Sequence, residues 1–155
     1  MPRYAESTTV SSNRSRAEIE ATLSRYGASR FMYGWDQQSA IIAFEMHGRR
    51  IQFQLPLPDK DASEFTSTPT GRVRAASQAT EAYDQAVRQR WRALALVIKA
   101  KLEAVDAGIT VFEDEFMAHI VLPTGETVGH WMRPQIETSY RSGNMPPLLP
   151  APHQP

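Results

Sequence analysis

Residues 31 to 55 constrain the fold more than any other stretch, because three strand-like runs are separated by two turn-like breaks and their registers can be checked against one another. The runs are 31–35, 40–46 and 49–55. If His47-Gly48 is a two-residue hairpin turn, Met46 faces Arg49, Glu45 faces Arg50, Phe44 faces Ile51 and Ile42 faces Phe53. A four-residue loop at Asp36 to Ser39 then sets Tyr33 opposite Ile42 and Phe31 opposite Phe44. The rows Phe31/Phe44/Ile51 and Tyr33/Ile42/Phe53 fall on one side, so a single register satisfies both hairpins. The other side carries Met32, Gly34, Ile41, Ala43, Glu45, Arg50, Gln52 and Gln54, a mixed face with one cross-strand ion pair.

Helices flank this sheet. Ser15-Arg16-Ala17-Glu18 is an S-x-x-E capping box, and Ile19, Leu23 and Tyr26 follow at helical spacing up to Gly27, which predicts a short helix over 16–26. Tyr83, Val87, Trp91, Leu94, Ile98, Leu102 and Val105 hold the helical period through an alanine-rich stretch ending at Gly108, which predicts a long central helix over 78–106. At ~1.5 Å per residue it is about 40 Å long, more than short strands can cover, so its far end needs other partners. A second capping box, Thr110 to Glu113, leads into Phe112, Phe116 and Ile120, and Pro123-Thr124-Gly125 reads as a turn. Val128, Trp131, Met132, Ile136 and Tyr140 suggest a last packed helix, with Pro134 starting or kinking it.

The remainder is punctuation. Residues 56–77 are rich in Pro, Asp, Ser and Thr and read as a long polar loop, by composition disordered. Residues 1–14 read as a flexible N-terminus and 142–155 as a Pro-rich tail with a P-x-x-P spacing at Pro147-Leu148-Leu149-Pro150. The expectation is one α+β domain over 15–141: an N-terminal helix, a three-stranded antiparallel sheet, a long central helix, then short C-terminal helices.

Composition narrows function. Lys plus Arg equals Asp plus Glu at 17 each, so no global field draws the chain to nucleic acid or an acidic membrane, and any such binding must come from a local patch. With no cysteine there are no disulfides, thiolate nucleophiles or Cys-based metal sites. MPRYAESTTV lacks the apolar core of a signal peptide and no run approaches a membrane span, so a cytoplasmic protein without a membrane partner is expected.

Chemistry-bearing motifs are sparse. Glu115 and His119 stand at i, i+4 and can share a metal, with His47 and His130 as further ligands from elsewhere; read structurally, Glu113, Asp114 and Glu115 are an acidic first turn that suits the helix dipole. No nucleophile elbow, phosphate loop, H-E-x-x-H or EF-hand pattern occurs, and no catalytic residue, metal or cofactor is assigned. The basic residues point elsewhere. Arg49 and Arg50 follow a turn, Arg72 and Arg74 precede the long helix, and Arg88, Arg92 and Lys99 share one of its stripes, a set able to contact phosphate. Glu81 and Glu103 lie on the same stripe, as in an ordinary solvated helix edge. Phe31, Tyr33 and Trp35 alternate on one strand and can stack bases, but the register places the first two over the core.

The phrases RSRAEIEATLSRYGA, FMYGW, HGRRIQFQLPLP, RQRWRALALVIKAKLEAV, GITVFEDEFMAHIVLP and PPLLP, spread over residues 10 to 150, resemble a family of small proteins of unknown function from phages, prophages and bacterial mobile regions. The resemblance implies a setting of replication, recombination, host takeover or counter-defence and carries no catalytic residue. The order helix, three antiparallel strands, long helix is also similar to the core of phage single-strand annealing proteins and of double-stranded RNA-binding domains, an analogy of fold alone. Residues 78–87 contain no Lys or Arg, unlike the basic helix start of the RNA-binding domain. The leading expectation is a non-enzymatic phage or mobile-element accessory protein that binds DNA or RNA through Arg49, Arg50, Arg72, Arg74, Arg88, Arg92 and Lys99. The alternative is an adaptor or inhibitor that binds a host or phage protein, or itself, through the mixed sheet face at Met32, Ile41 and Gln54 and through the tail.

Overall fold

The computed structural model describes residues 5–6 and 8–145. Its elements are α1 (Ser12–Arg25), β1 (Arg30–Trp35), β2 (Ser39–Met46), β3 (Arg49–Pro56), α2 (Ser63–Thr66), α3 (Ala76–Asp106), α4 (Phe112–Phe116), which continues as a 3-10 turn over Met117–His119, and α5 (Val128–Ser142). This is the α+β order the sequence leads one to expect, with an antiparallel sheet in the order β1-β2-β3. No helix among the described residues is long and apolar enough to cross a membrane.

The sheet forms in the expected register. Phe31 pairs with Phe44 and Tyr33 with Ile42; across the second hairpin, Ile42 pairs with Phe53, Phe44 with Ile51, Glu45 with Arg50 and Met46 with Arg49. The His47-Gly48 turn holds both residues at positive φ, 51° and 70°, the twist that two-residue hairpins favour and that Gly48 adopts without strain. The His47 ring lies 4.8 Å from that of Phe112, which ties the turn to α4. In the first hairpin the Asp36 carboxylate accepts the Gln38 and Ser39 N–H groups at 2.7 and 2.8 Å, closing an Asx turn.

One face of this sheet carries the core. Ile42, Phe44, Met46, Ile51 and Phe53 meet Ile19 and Leu23 of α1, Trp91, Leu94, Ile98 and Leu102 of α3, and Phe112 and Phe116 of α4. Ile51, Ile98 and Phe116 are wholly buried, each contributing roughly 1.5–3 kcal/mol. Phe116 stands edge-on to both Phe44 and Phe53. α1, with the segment before it, runs in the same direction as α3: Thr8 meets Gln85, Glu18 meets Arg92 and Tyr26 meets Glu103. β3 runs the other way, its Pro56 carbonyl accepting from Arg90 while Arg49, at its start, pairs with Glu113 of α4.

Several local expectations are corrected. The first helix starts at Ser12, capped by Ser11, whose side chain accepts from the Arg14 N–H. Ser15, expected as the cap, lies one turn before Ile19 on the buried stripe, and packing of that stripe extends the helix backwards. The segment before it, expected to be flexible, is tied to α3 because the Gln85 amide donates to the Glu6 and Thr8 carbonyls. The 56–77 loop, read as disordered, is folded onto α3. Phe65 of α2 is buried with its ring edge-on to Tyr83, Ser67 bridges Val73, and Arg74 donates to the Glu64 and Phe65 carbonyls. One large apolar side chain is enough to anchor a stretch whose composition is otherwise polar.

The second capping box does not form. Val111 occupies the cap position and makes no side-chain cap bond, while the Thr110 hydroxyl turns to the Val111 carbonyl. The helix stops at Phe116 instead of running to Ile120, since Ile120 is drawn out to bridge Ile51 beside the sheet. The last helix, expected to pack along its apolar positions, has no buried residue; it passes through Pro134 without beginning there, and Ile136 and Tyr140 are exposed. It docks by its first turn, where a Cβ on Gly129 would stand 2.9 Å from the Ala118 carbonyl oxygen. Residues 146–155, with the Pro147–Pro150 motif, lie outside the described residues.

Candidate interaction surface

The seven basic residues singled out in the sequence fall at different places, and five are held within the chain. Arg49 pairs with Glu113 at 3.0 Å and Arg50 with Glu45 at 3.7 Å. Arg74 is spent on two carbonyls of α2, and Arg88 on the Gln85 side chain at 2.6 Å, which fixes Gln85 against the N-terminal segment. Arg92 pairs with Glu18 at 2.5 Å across the α1–α3 interface. Arg72 and Lys99 are exposed and have no side-chain hydrogen bond or ion pair among the described residues. Arg49 and Arg50 lie by the C-terminal half of α3, near Lys101 and its partner Glu115, whereas Arg72, Arg74 and Arg88 lie at its N-terminal end, roughly 20 Å of helix away. They do not form one patch.

Glu115 and His119 are separated by the change from α to 3-10 winding after Phe116. Glu115 pairs with Lys101 at 3.2 Å, and the His119 ring stacks on Phe53 at 4.0 Å between centroids. Burial, then repulsion from Lys101, holds the imidazole below its usual pKa, opposed by its bond to the Gln52 backbone. His47 lies on Phe112, and His130 approaches Glu126 at 3.8 Å. Among the described residues no three His, Cys, Asp or Glu side chains are grouped to hold a metal.

The outer face of the sheet does gather its expected residues. Met32 is 60% exposed and Ile41 37%, and Gln54 is exposed beside Ile41, its amide 3.5 Å from the Ser39 hydroxyl. Gly34 and Ala43 leave a shallow depression of about 450 Å³ between Met32, Ile41 and Gln52. A second, of about 360 Å³, lies beyond Met32 towards Arg30, Glu45 and Arg50. There the Glu45 carboxylate takes both guanidiniums, Arg30 at 3.3 Å and Arg50 at 3.7 Å, so that end of the face carries a net positive charge.

The two edges of the sheet differ. Hydrogen-bonded pairs recur every second residue, and the two-residue turn fixes Met46–Arg49 as one of them, so Arg50, Gln52, Gln54 and Pro56 turn their backbone outward on β3. The Arg50 carbonyl accepts from Val121 N–H at 2.9 Å, Gln52 faces the His119 ring, and Pro56 accepts from Arg90 at 2.8 Å. On β1 the Asp36 N–H bonds the Ser39 carbonyl, which fixes the alternate phase and points the backbone of Phe31, Tyr33 and Trp35 away from β2. None of those three has a backbone hydrogen bond outside the ladder, and every residue of β1 except Phe31 is exposed.

Sequence reasoning names the face, takes Trp35 only as one of three aromatics able to stack bases, and passes over Arg30 and the edge. The signal for the edge was available, since two successive hairpins leave an outer strand with one neighbour. It also placed Tyr33 in the core row. The ring reaches Trp91 edge-on at 6.5 Å beneath the Arg16 guanidinium, yet remains 46% exposed because no strand lies beyond β1. Compared with protein-family models, with curated proteins and with solved structures, the chain finds no match.

Proposed function

We propose that this chain is a non-enzymatic protein-binding module, an adaptor or inhibitor, that docks a partner protein on the outer face of its sheet around Met32, Ile41 and Gln54. The observation that carries this reading is the uncovered apolar strip: Met32 and Ile41 stand exposed on a sheet whose opposite face holds the whole core, beside a gap left by Gly34 and Ala43. A sheet face meant only for water carries polar side chains at such positions. The partner fitting it offers an apolar side chain for the gap and a carboxylate for the Arg30–Glu45–Arg50 end. The phage or mobile-element setting rests on the sequence resemblance. The nucleic-acid reading has less support, because most of its arginines are engaged within the chain.

The test is site-specific photo-crosslinking in the native host, with a benzophenone amino acid replacing Ile41 and, as control, Lys99. A single protein adduct at 41, absent at 99 and abolished by Met32→Glu, is the expected result. No adduct at 41, together with salt-sensitive binding of labelled DNA or RNA that is lost in an Arg72→Ala/Lys99→Ala variant, would overturn the reading in favour of nucleic acid.

A further inference from the structure

We infer that the β1 edge pairs with the β1 edge of a second copy of this chain, in one antiparallel register centred on Tyr33, joining two three-stranded sheets into one of six strands. This pairing runs along the edge and engages Met32, Gly34 and Arg30 at the margin of the outer face, while Ile41 on β2 and Gln54 on β3 stay open to a partner protein.

The first ground is the free backbone. Phe31, Tyr33 and Trp35 present unpaired N–H and C=O groups along an exposed strand without proline, bulge or lysine, the devices that usually block an edge. β3 is closed by Val121, His119 and Arg90, so β1 is the one strand edge of this sheet left open among the described residues. The second ground is complementarity under a two-fold axis. With Tyr33 opposite Tyr33 of the copy, Phe31 faces Trp35 and Met32 faces Gly34, which leaves the methionine room to lie over a residue without a side chain. Arg30 then faces Asp36 at both ends, in the non-hydrogen-bonded pairing that brings side chains closest. Asp36 uses Oδ1 for its own turn and Arg30 reaches Glu45 through Nη1, so Oδ2 and Nη2 are available to each other. A slip of two residues either way sets Arg30 opposite Gly34 or Gln38 and loses both charge pairs. The charges therefore select the register as well as the partner.

The absence of native cysteine makes the register directly testable. Chains carrying Met32→Cys and Gly34→Cys are prepared separately and oxidised alone and mixed. The expected result is a disulfide-linked dimer in the mixture and none in either sample alone, because 32 meets only 34 in this register, at a Cα separation suited to a disulfide. Sedimentation of the unmodified chain should give the mass of two chains, falling to one in Trp35→Pro, which removes an outward N–H while leaving the β1–β2 ladder intact. A monomer at all concentrations overturns the inference, as does a dimer that survives Trp35→Pro with no mixed-cysteine product. Should Trp35→Pro fail to fold, the mixed-cysteine experiment alone decides.

Discussion

Along the β3 edge the outward carbonyls of Arg50, Gln52 and Pro56 each meet a group from a later part of the chain, whereas along β1 those of Phe31, Tyr33 and Trp35 meet none. The two strands, of six and eight residues, flank the same central strand, so position in the sheet alone does not separate them. What separates them is where the chain goes next. After β3 it returns through α3 and α4 and lays Ile120 and Val121 against the strand it left; before β1 it has built only α1, which packs on α3. An edge is closed when later sequence comes back to it, and the edge left open is the one with the means to recruit another chain.

The largest way to break this contrast is to remove the anchor of the β3 strap. Phe116 is wholly buried against Phe44, Phe53 and Phe112, so Phe116→Ala should cost about 3–5 kcal/mol, read as a lower urea midpoint, and should raise hydrogen exchange at Val121. An intermediate comparison is proline at each edge. Ile120 is already extended at φ −67° and ψ 128°, as a residue before proline must be, and Val121→Pro deletes the bond to Arg50, at a cost of about 1 kcal/mol. Trp35→Pro removes an N–H that bonds nothing within the chain, and at concentrations too low for association its stability from urea denaturation should fall by less than about 0.5 kcal/mol. Equal losses at the two sites would show that the edges are not different.

The smallest effect sharpens the contrast by pH. His119 lies on the β3 side, its pKa held down chiefly by burial and then by Lys101, so the unfolded chain binds the proton more readily than the folded one. Stability tied to this group is present above about pH 6.5 and is lost as pH falls through the depressed folded value. Denaturation at pH 5 against pH 7.5 should show the loss, and His119→Phe, which keeps the stack on Phe53, should flatten it. The exchange of β1 amides should not follow the same pH profile.

The open edge and apolar face were legible in the sequence to different degrees. Met32, Ile41 and Gln54 were placed together correctly because strand alternation and one turn assignment decide which residues share a face. Arg30 was passed over because its meaning depends on Glu45 and Arg50 meeting it across two strands. The arginines read as a phosphate-binding set because sequence shows a guanidinium but not what it touches, and Glu18 and Glu113 lie far from Arg92 and Arg49 in the chain.

By itself the sequence determined the two hairpins, their register and the long α3, because turn chemistry at His47-Gly48 and apolar periods of two and of 3.6 act within a few residues. Tertiary structure alone decided where α1 starts, that Phe65 orders the polar loop, that α4 gives up a turn so that Ile120 can reach β3, and which sheet edge stays open. Each of these turns on a contact between residues distant in sequence, where packing against a shared core outweighs a local capping or composition signal worth about 1 kcal/mol.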